Sequence, residues 1–160
     1  MFQSNDSVLR AITDDGAFRV ITARTTETVR AAVSAQQASG RTARHFGDLI
    51  TAAILFRETM APQLRVQGII RGARGRGSLV ADSHPSGKTR GLIQLPKDAS
   101  EIDVGPGAVL QLMRTLPSGR ISQGIVQVPE SGSISEALMV YMQVSEQVVS
   151  MLALATLMGE

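Results

Sequence analysis

At 160 residues the chain is the size of one domain; its 43% hydrophobic content excludes a disordered chain, and 3% aromatic content makes any core aliphatic. The absence of cysteine excludes disulfides, thiol chemistry and cysteine zinc sites within these residues. Sixteen basic against 14 acidic residues, a net charge of +2, leave no dedicated polybasic surface.

The first residues, MFQSNDSVLR, hold no apolar stretch of the kind a secretory signal needs, which with the lack of cysteine fits a cytoplasmic protein. Val8 to Thr13 and Ala17 to Arg24 are strand candidates, joined by the hairpin signal Asp14-Asp15-Gly16. Thr25 or Thr26 then caps a helix over the alanine-rich run VRAAVSAQQAS, with Gly40 as its stop.

Thr42 to Met60 is the most apolar helix. Phe46, Leu49, Ile50, Ala52, Ala53, Ile54, Phe56 and Met60 cover roughly 200° of its wheel, too wide for a surface helix. Arg44, Asp48, Arg57 and Glu58 interrupt it too often for a membrane span. A central core helix is therefore expected, ended by Pro62 and paired with the preceding helix as a hairpin.

Beyond Gln63 the period becomes strand-like. Leu64 to Ile70, Ser78 to Ala81, Gly91 to Leu95, Ala108 to Met113 and Ile121 to Val128 predict a meander of about five strands. Turns are expected at Gly72–Gly77, His84–Gly87 and Pro117–Gly119. Ser133 or Ser135 caps the next helix, with Ser133-x-x-Glu136 spaced as a capping box and Ile134, Leu138, Tyr141, Met142 and Val148 on its apolar side. Val149 to Met158 reads as a last strand, followed by Gly159-Glu160 as the start of a turn. Without a partner its edge would invite intermolecular pairing.

Few residues suggest chemistry. Asp82-Ser83-His84-Pro85-Ser86-Gly87-Lys88-Thr89 approaches a phosphate-binding loop, but Asp82 replaces the first glycine and a strand follows where a helix is required, so it reads as a hairpin turn. Arg71, Arg74 and Arg76 make a basic glycine-rich loop with no interleaved aromatic to stack on a base. His45 and His84 have no spaced carboxylates with which to bind metal, and Asp14-Asp15 sits in a turn. No catalytic, metal-binding or cofactor-binding residue is assigned, and no enzyme is expected. Met113, Met139, Met142, Met151 and Met158 fall in the second half and suit either core filling or an adaptable apolar surface.

Several segments together resemble one family. They are Val8-Leu9-Arg10-Ala11, Leu49-Ile50-Thr51-Ala52-Ala53-Ile54-Leu55, Gly77-Ser78-Leu79-Val80-Ala81-Asp82, Arg90-Gly91, Gln123-Gly124-Ile125-Val126 and, above all, Tyr141-Met142-Gln143-Val144-Ser145-Glu146-Gln147. In order and over nearly the whole chain, they are similar to the N-terminal core of heat shock protein 33, a redox-regulated holdase chaperone. Arg71-Gly72-Ala73-Arg74-Gly75 departs from the family's usual Q-G-(D/N)-G-P turn, and Val148-Val149 from the proline that often follows S-E-Q. The family continues with a partner for the last strand, a linker and a C-terminal domain whose four cysteines bind zinc. This sequence holds none of these, so the resemblance implies the core without its switch, in a shortened or cleaved form.

The expectation is thus a single α+β domain over residues 1–160, an antiparallel meander sheet packed on a central apolar helix and flanking helices. The resemblance implies ATP-independent holding of unfolding client proteins under heat or oxidative stress, with client-binding residues unassigned, no cofactor in this chain, zinc in the family's missing domain, and a homodimer as one possible state. Neither a membrane nor nucleic acid is an expected partner. The alternative is a basic RNA-binding module using Arg71–Gly77; a weaker one is a nucleotide-binding enzyme around Gly87-Lys88-Thr89.

Overall fold

One long helix is packed between a β-hairpin and a five-stranded sheet. The structure is a computed structural model that describes residues 6–159; the first half of the stretch read for a leader (residues 1–5) and Glu160 of the expected turn lie outside them.

β1 (Ser7–Ile12) and β2 (Arg19–Arg24) form the expected antiparallel hairpin. Its turn closes through Thr13 N donating to Phe18 O (2.9 Å) and Gly16 N to Thr13 O (2.8 Å), and Gly16 takes φ +70°, where a side chain would strain the backbone. α1 (Thr26–Ala35) follows. Thr25 holds its N-cap position, but the Thr25 hydroxyl bonds to that of Thr51 instead (2.7 Å). The cap is Asp6, whose carboxylate accepts from Glu27 N (3.0 Å) and Thr28 N (2.7 Å). A carboxylate satisfies two free N–H groups at once and counters the positive end of the helix. The stop also differs from the sequence reading. Gln37, at φ +50°, makes the left-handed turn, and Gly40, at φ +59°, begins the next helix.

That helix, α2 (Gly40–Met60), buries Phe46, Leu49, Ile50, Ala52, Ala53, Ile54 and Phe56, as its wheel predicts. Arg57, one of the charges that interrupt the apolar run, is buried too. Its Nε donates to Ser83 Oγ (3.0 Å) and its Nη1 to Pro62 O (3.4 Å), while Nη2 pairs with Glu58. Glu58 also meets Arg10, and Arg19 Nη2 donates to Thr59 O (3.1 Å), which ties the hairpin to the end of α2.

β3 (Arg65–Arg71), β4 (Ser78–Ser83), β5 (Thr89–Gln94), β6 (Val109–Thr115) and β7 (Ile121–Gln127) make one antiparallel sheet in the order β5-β4-β3-β6-β7. The meander therefore breaks once. After edge strand β5 the chain returns to lay β6 beside β3. α3 (Ile134–Ser145) is capped by Ser133 Oγ, which accepts from Glu136 N (3.2 Å). The reciprocal half of the capping box goes elsewhere, since Glu136 accepts from Ser131 Oγ (2.8 Å). Ile134, Leu138, Tyr141 and Met142 are buried, whereas Val148 lies past the helix end and is exposed.

The inner face of the sheet is shaped by one row across all five strands: Gly91–Ala81–Gly68–Leu112–Gly124. A Cβ built on Gly91 would lie 2.5 Å from the Phe46 ring, one on Gly68 3.1 Å from Leu49, and one on Gly124 2.8 Å from Tyr141. The small residues form a trough that seats α2 and α3. The neighbouring row, Ile93–Leu79–Ile70–Leu110–Val126, is wholly aliphatic and completes the core.

The last segment departs from expectation. Val149 to Met158 pairs with no strand among the described residues. Its alternation survives, with Leu152 and Leu154 half-buried while Val149, Met151 and Leu157 are 93%, 100% and 93% exposed. It lies across helices, which offer side chains rather than a ladder: Leu154 N donates to Ser135 Oγ (2.9 Å) and Thr156 Oγ1 to Asp48 Oδ1 (2.7 Å). Gly47 supplies the notch, because a Cβ there would lie 2.6 Å from Thr156.

Phe46→Ala should lower stability by about 3–5 kcal/mol in urea unfolding, as a fully buried ring leaves a cavity. Gly91→Ala should cost about 1–3 kcal/mol by overpacking against the same ring; a change within about 0.5 kcal/mol, the size of an ordinary surface mutation, would show that the trough does not constrain α2.

Candidate functional site

The strands that fill the trough present a second row to solvent. One residue along each strand, Leu92–Val80–Ile69–Gln111–Ile125 runs across the outer face. Leu92 and Ile125 are 46% and 58% exposed, and Ile69 and Val80 are half-buried. Gln111, itself buried, interrupts the row between β3 and β7 and spends its amide on Gln123, donating from Nε2 to Oε1 (2.8 Å).

A polar row, Arg90–Asp82–Gln67–Met113–Gln123, borders it on one side. Arg65 grips Asp82 with both arms of its fork (2.7 and 2.8 Å), and Arg90 Nε adds a third bond (3.2 Å). Burial pushes the Asp82 carboxyl up, but the two guanidiniums outweigh it and hold the group below its ordinary value. A flat apolar strip with a satisfied charged border can hold an apolar chain segment. It offers no group for covalent chemistry.

The other sequence candidates do not join it into a reactive site. In the near-phosphate loop, His84 N donates to Lys88 O (2.9 Å) and Gly87 N to His84 O (2.9 Å), so the stretch is the β4–β5 turn, and Thr89 opens a strand. Ser86 N donates to His84 Nδ1 (3.2 Å). Arg71 is exposed at the end of β3, Arg74 sits at φ +58° in a single 3-10 turn, and Arg76 pairs with Asp98. Phe46, Phe56 and Tyr141 are core residues, so none stands beside these arginines to stack on a base. His45 is half-buried, and burial holds its pKa below the ordinary value. Asp15 closes the β1–β2 turn by accepting from Thr13 Oγ1 (2.6 Å) and Ala17 N (3.0 Å). The methionines do not gather on one surface: Met142 is buried, Met113 lies in the polar outer row and Met151 projects from the last segment.

Zinc does not fit the residues present. The sequence has no cysteine, and among the described residues no group of three or more histidine, aspartate or glutamate side chains is placed to hold a metal. Nor, among the described residues, is any helix long and apolar enough to cross a membrane.

The outer row escaped the sequence reading, although its signal was there. Ile69-Ile70, Leu79-Val80, Leu92-Ile93 and Ile125-Val126 are adjacent apolar pairs, each placing one side chain on either face. The Tyr141–Gln147 stretch proves structural. Glu146 accepts from the Tyr141 hydroxyl (3.2 Å) and pairs with Arg114 (3.1 Å), whose guanidinium lies 5.8 Å from the Phe56 ring centre. Burial, then the Glu146 charge, pushes the Tyr141 phenol up to about 12, so it stays protonated.

Because the folded Asp82 has a depressed pKa, its stabilisation is complete above the ordinary value of 3.8 and is lost as pH falls through the lower folded value. Asp82→Asn should flatten that part of the acid-unfolding profile, measured by circular dichroism against pH. An unchanged slope would mean that the Arg65 and Arg90 contacts do not favour the carboxylate.

Comparison with known proteins places this architecture. The family model described as Hsp33 protein matches residues 6–160. A 33 kDa chaperonin of Thermus thermophilus is 29% identical over 154 residues, an alignment covering 89% of this chain and 45% of that protein. The 33 kDa chaperonin of Bacillus licheniformis is 27% identical over 164 residues, covering 96% and 56%. The chain thus spans about half the length of these relatives. The crystal structure of the 33 kDa chaperonin (heat shock protein 33 homolog) from Thermotoga maritima superposes with a TM-score of 0.74 at 24% identity, over 89% of this chain and 52% of that one, which supports the fold.

Proposed function

The chain belongs to the Hsp33 family, and on that premise we propose that it is an ATP-independent holdase that keeps unfolding proteins from aggregating. The observation that carries this reading is the outer apolar row, Leu92–Val80–Ile69–Gln111–Ile125. Exposed contiguous apolar surface on a folded domain marks an interaction site, and unfolding proteins expose the apolar segments that such a strip accepts. Pairing of Gln111 with Gln123, and of Asp82 with Arg65 and Arg90, leaves the neighbouring polar groups satisfied. An incoming segment therefore displaces water from the strip without stripping partners from buried charges.

The residues bind and release; they catalyse nothing. Redox sensing lies outside them, since no thiol is present to oxidise. In this reading the relatives' further length supplies the zinc-bound switch, while the chain supplies the platform, working in the cytoplasm.

The test is to heat an unrelated client and follow light scattering without nucleotide. The wild-type chain should suppress scattering. A Leu92→Asp, Ile125→Asp pair should lose most of that suppression while its Tm stays within a few degrees, because both side chains lie on the outer face and outside the core cluster. Equal suppression by the double variant would remove the outer row from the mechanism. Failure of the wild-type chain, and also of the chain joined to an oxidised linker and cysteine domain from a relative, would refute the holdase reading.

A further inference from the structure

The outer face of the five-stranded sheet carries charge beside its apolar row, and the charge is mostly of one sign. Rows alternate between the two faces, so three more rows face outward: Arg65–Thr115–Ile121, Arg90–Asp82–Gln67–Met113–Gln123 and Gln94–Ser78–Arg71–Val109–Gln127. They hold three arginines against one aspartate. Arg65 spends both arms of its fork on Asp82. Arg90 gives that carboxylate only its Nε, and its side chain is 81% exposed. Arg71 is exposed and makes no ion pair among the described residues. The unspent positive charge therefore sits on Arg90 and Arg71.

These two arginines flank the apolar row on opposite sides. Arg90 stands two residues from Leu92 along β5, and Arg71 two from Ile69 along β3, about 7 Å in each case. The other end of the row is neutral, since Ile125 lies between Gln123 and Gln127. Five strands about 4.8 Å apart make the row about 19 Å long, the reach of about six extended residues. The chain's own last segment does not compete for this face, because it is fastened to α2 and α3 on the inner side of the sheet.

We propose that the outer row selects its clients by charge: it takes extended apolar segments of unfolding proteins flanked by aspartate or glutamate in preference to the same segments flanked by lysine or arginine. The inference rests on the holdase reading and names the class of segment that this face takes. The apolar side chains of the guest supply binding without regard to order, and the border decides which flanks are admitted. An acidic flank meets Arg90 or Arg71, both at the solvent rim, where a carboxylate keeps much of its hydration. A basic flank meets like charge there. A second copy of this face is the poorer occupant, because laying the face on itself sets these arginines against their own copies. Nucleic acid is poorer too, because the row contains no aromatic side chain on which a base could stack.

The experiment uses the whole chain and two fluorescent peptides with blocked ends. Both carry one six-residue core of alanine, leucine and valine; two aspartates flank it on each side in the first peptide and two lysines in the second. Fluorescence anisotropy at low salt should show the aspartate peptide bound about fivefold more tightly, as two exposed charge contacts allow. The difference should vanish in about 1 M salt, where screening acts within about 3 Å. Arg90→Gln with Arg71→Gln should abolish it, and Arg71→Gln alone, which has no ion pair to lose, should narrow it with Tm unchanged. Arg30→Gln with Arg44→Gln, which removes the same net charge from the helices, should leave it in place. Leu92→Asp with Ile125→Asp should reverse it. Equal binding of the two peptides, binding of neither, or a preference that survives the Arg90 and Arg71 changes overturns the proposal. Client light scattering measured in parallel separates the two readings: suppression that persists while the peptides bind equally leaves the holdase function standing without charge selection, whereas loss of suppression itself removes the reading on which the selection rests.

Discussion

The seat of α2 in the small-residue trough is the contact on which the rest of the molecule depends. Gly91, Ala81, Gly68 and Gly124 bring the helix and sheet backbones close enough for Phe46, Leu49 and Tyr141 to reach into the sheet. Close approach gives dense packing, and it also fixes the strand register. A slip of one residue would turn the trough to solvent and present Ile69 and Val80 to the helix. The outer apolar row is thus tied to the inner one by the pleat of the strands. A sheet whose inner face already holds the aliphatic row Ile93–Leu79–Ile70–Leu110–Val126 can leave an apolar strip of its outer face in water without losing its core.

Much of this arrangement was legible in the sequence, because it rests on periodicity. The wheel of α2 identified Phe46, Leu49, Ile50 and Phe56 as buried, and turn chemistry placed the hairpins. What escaped was set by contacts between distant residues. Thr25 has the right chemistry for an N-cap, yet Asp6 reaches α1 from before β1 and takes the role. Arg57 looked like an interruption of an apolar helix, but Ser83 and Glu58 make its burial tolerable. Val149 to Met158 alternates as a strand does, and alternation reports which side chains face the core without reporting whether a ladder partner exists. The outer row required a two-dimensional view, since its members are far apart in sequence and meet only through register.

The two faces of α2 divide the labour. Toward the sheet, burial is nearly complete and polar groups are matched, as with the Glu146 contacts to Tyr141 and Arg114. Toward the hairpin and the last segment, cover is partial: α1 has no fully buried residue, and β1 and β2 are largely exposed. That side is held by point attachments, among them Asp6 to α1, Arg10 to Glu58 and Arg19 to Thr59 O.

The Gly47 notch carries a consequence for time as well as shape. The last segment is fastened by Thr156 to Asp48, by Leu154 to Ser135, and by two half-buried leucines, and among the described residues it shares no ladder with the remainder. Its release therefore leaves the trough and the ladders of the sheet intact, and uncovers only the part of the core against which Leu152 and Leu154 pack. In the hierarchy of local openings, this segment belongs to the units that detach and return many times during the life of one folded molecule, whereas the amides of α2 wait for the whole domain to unfold.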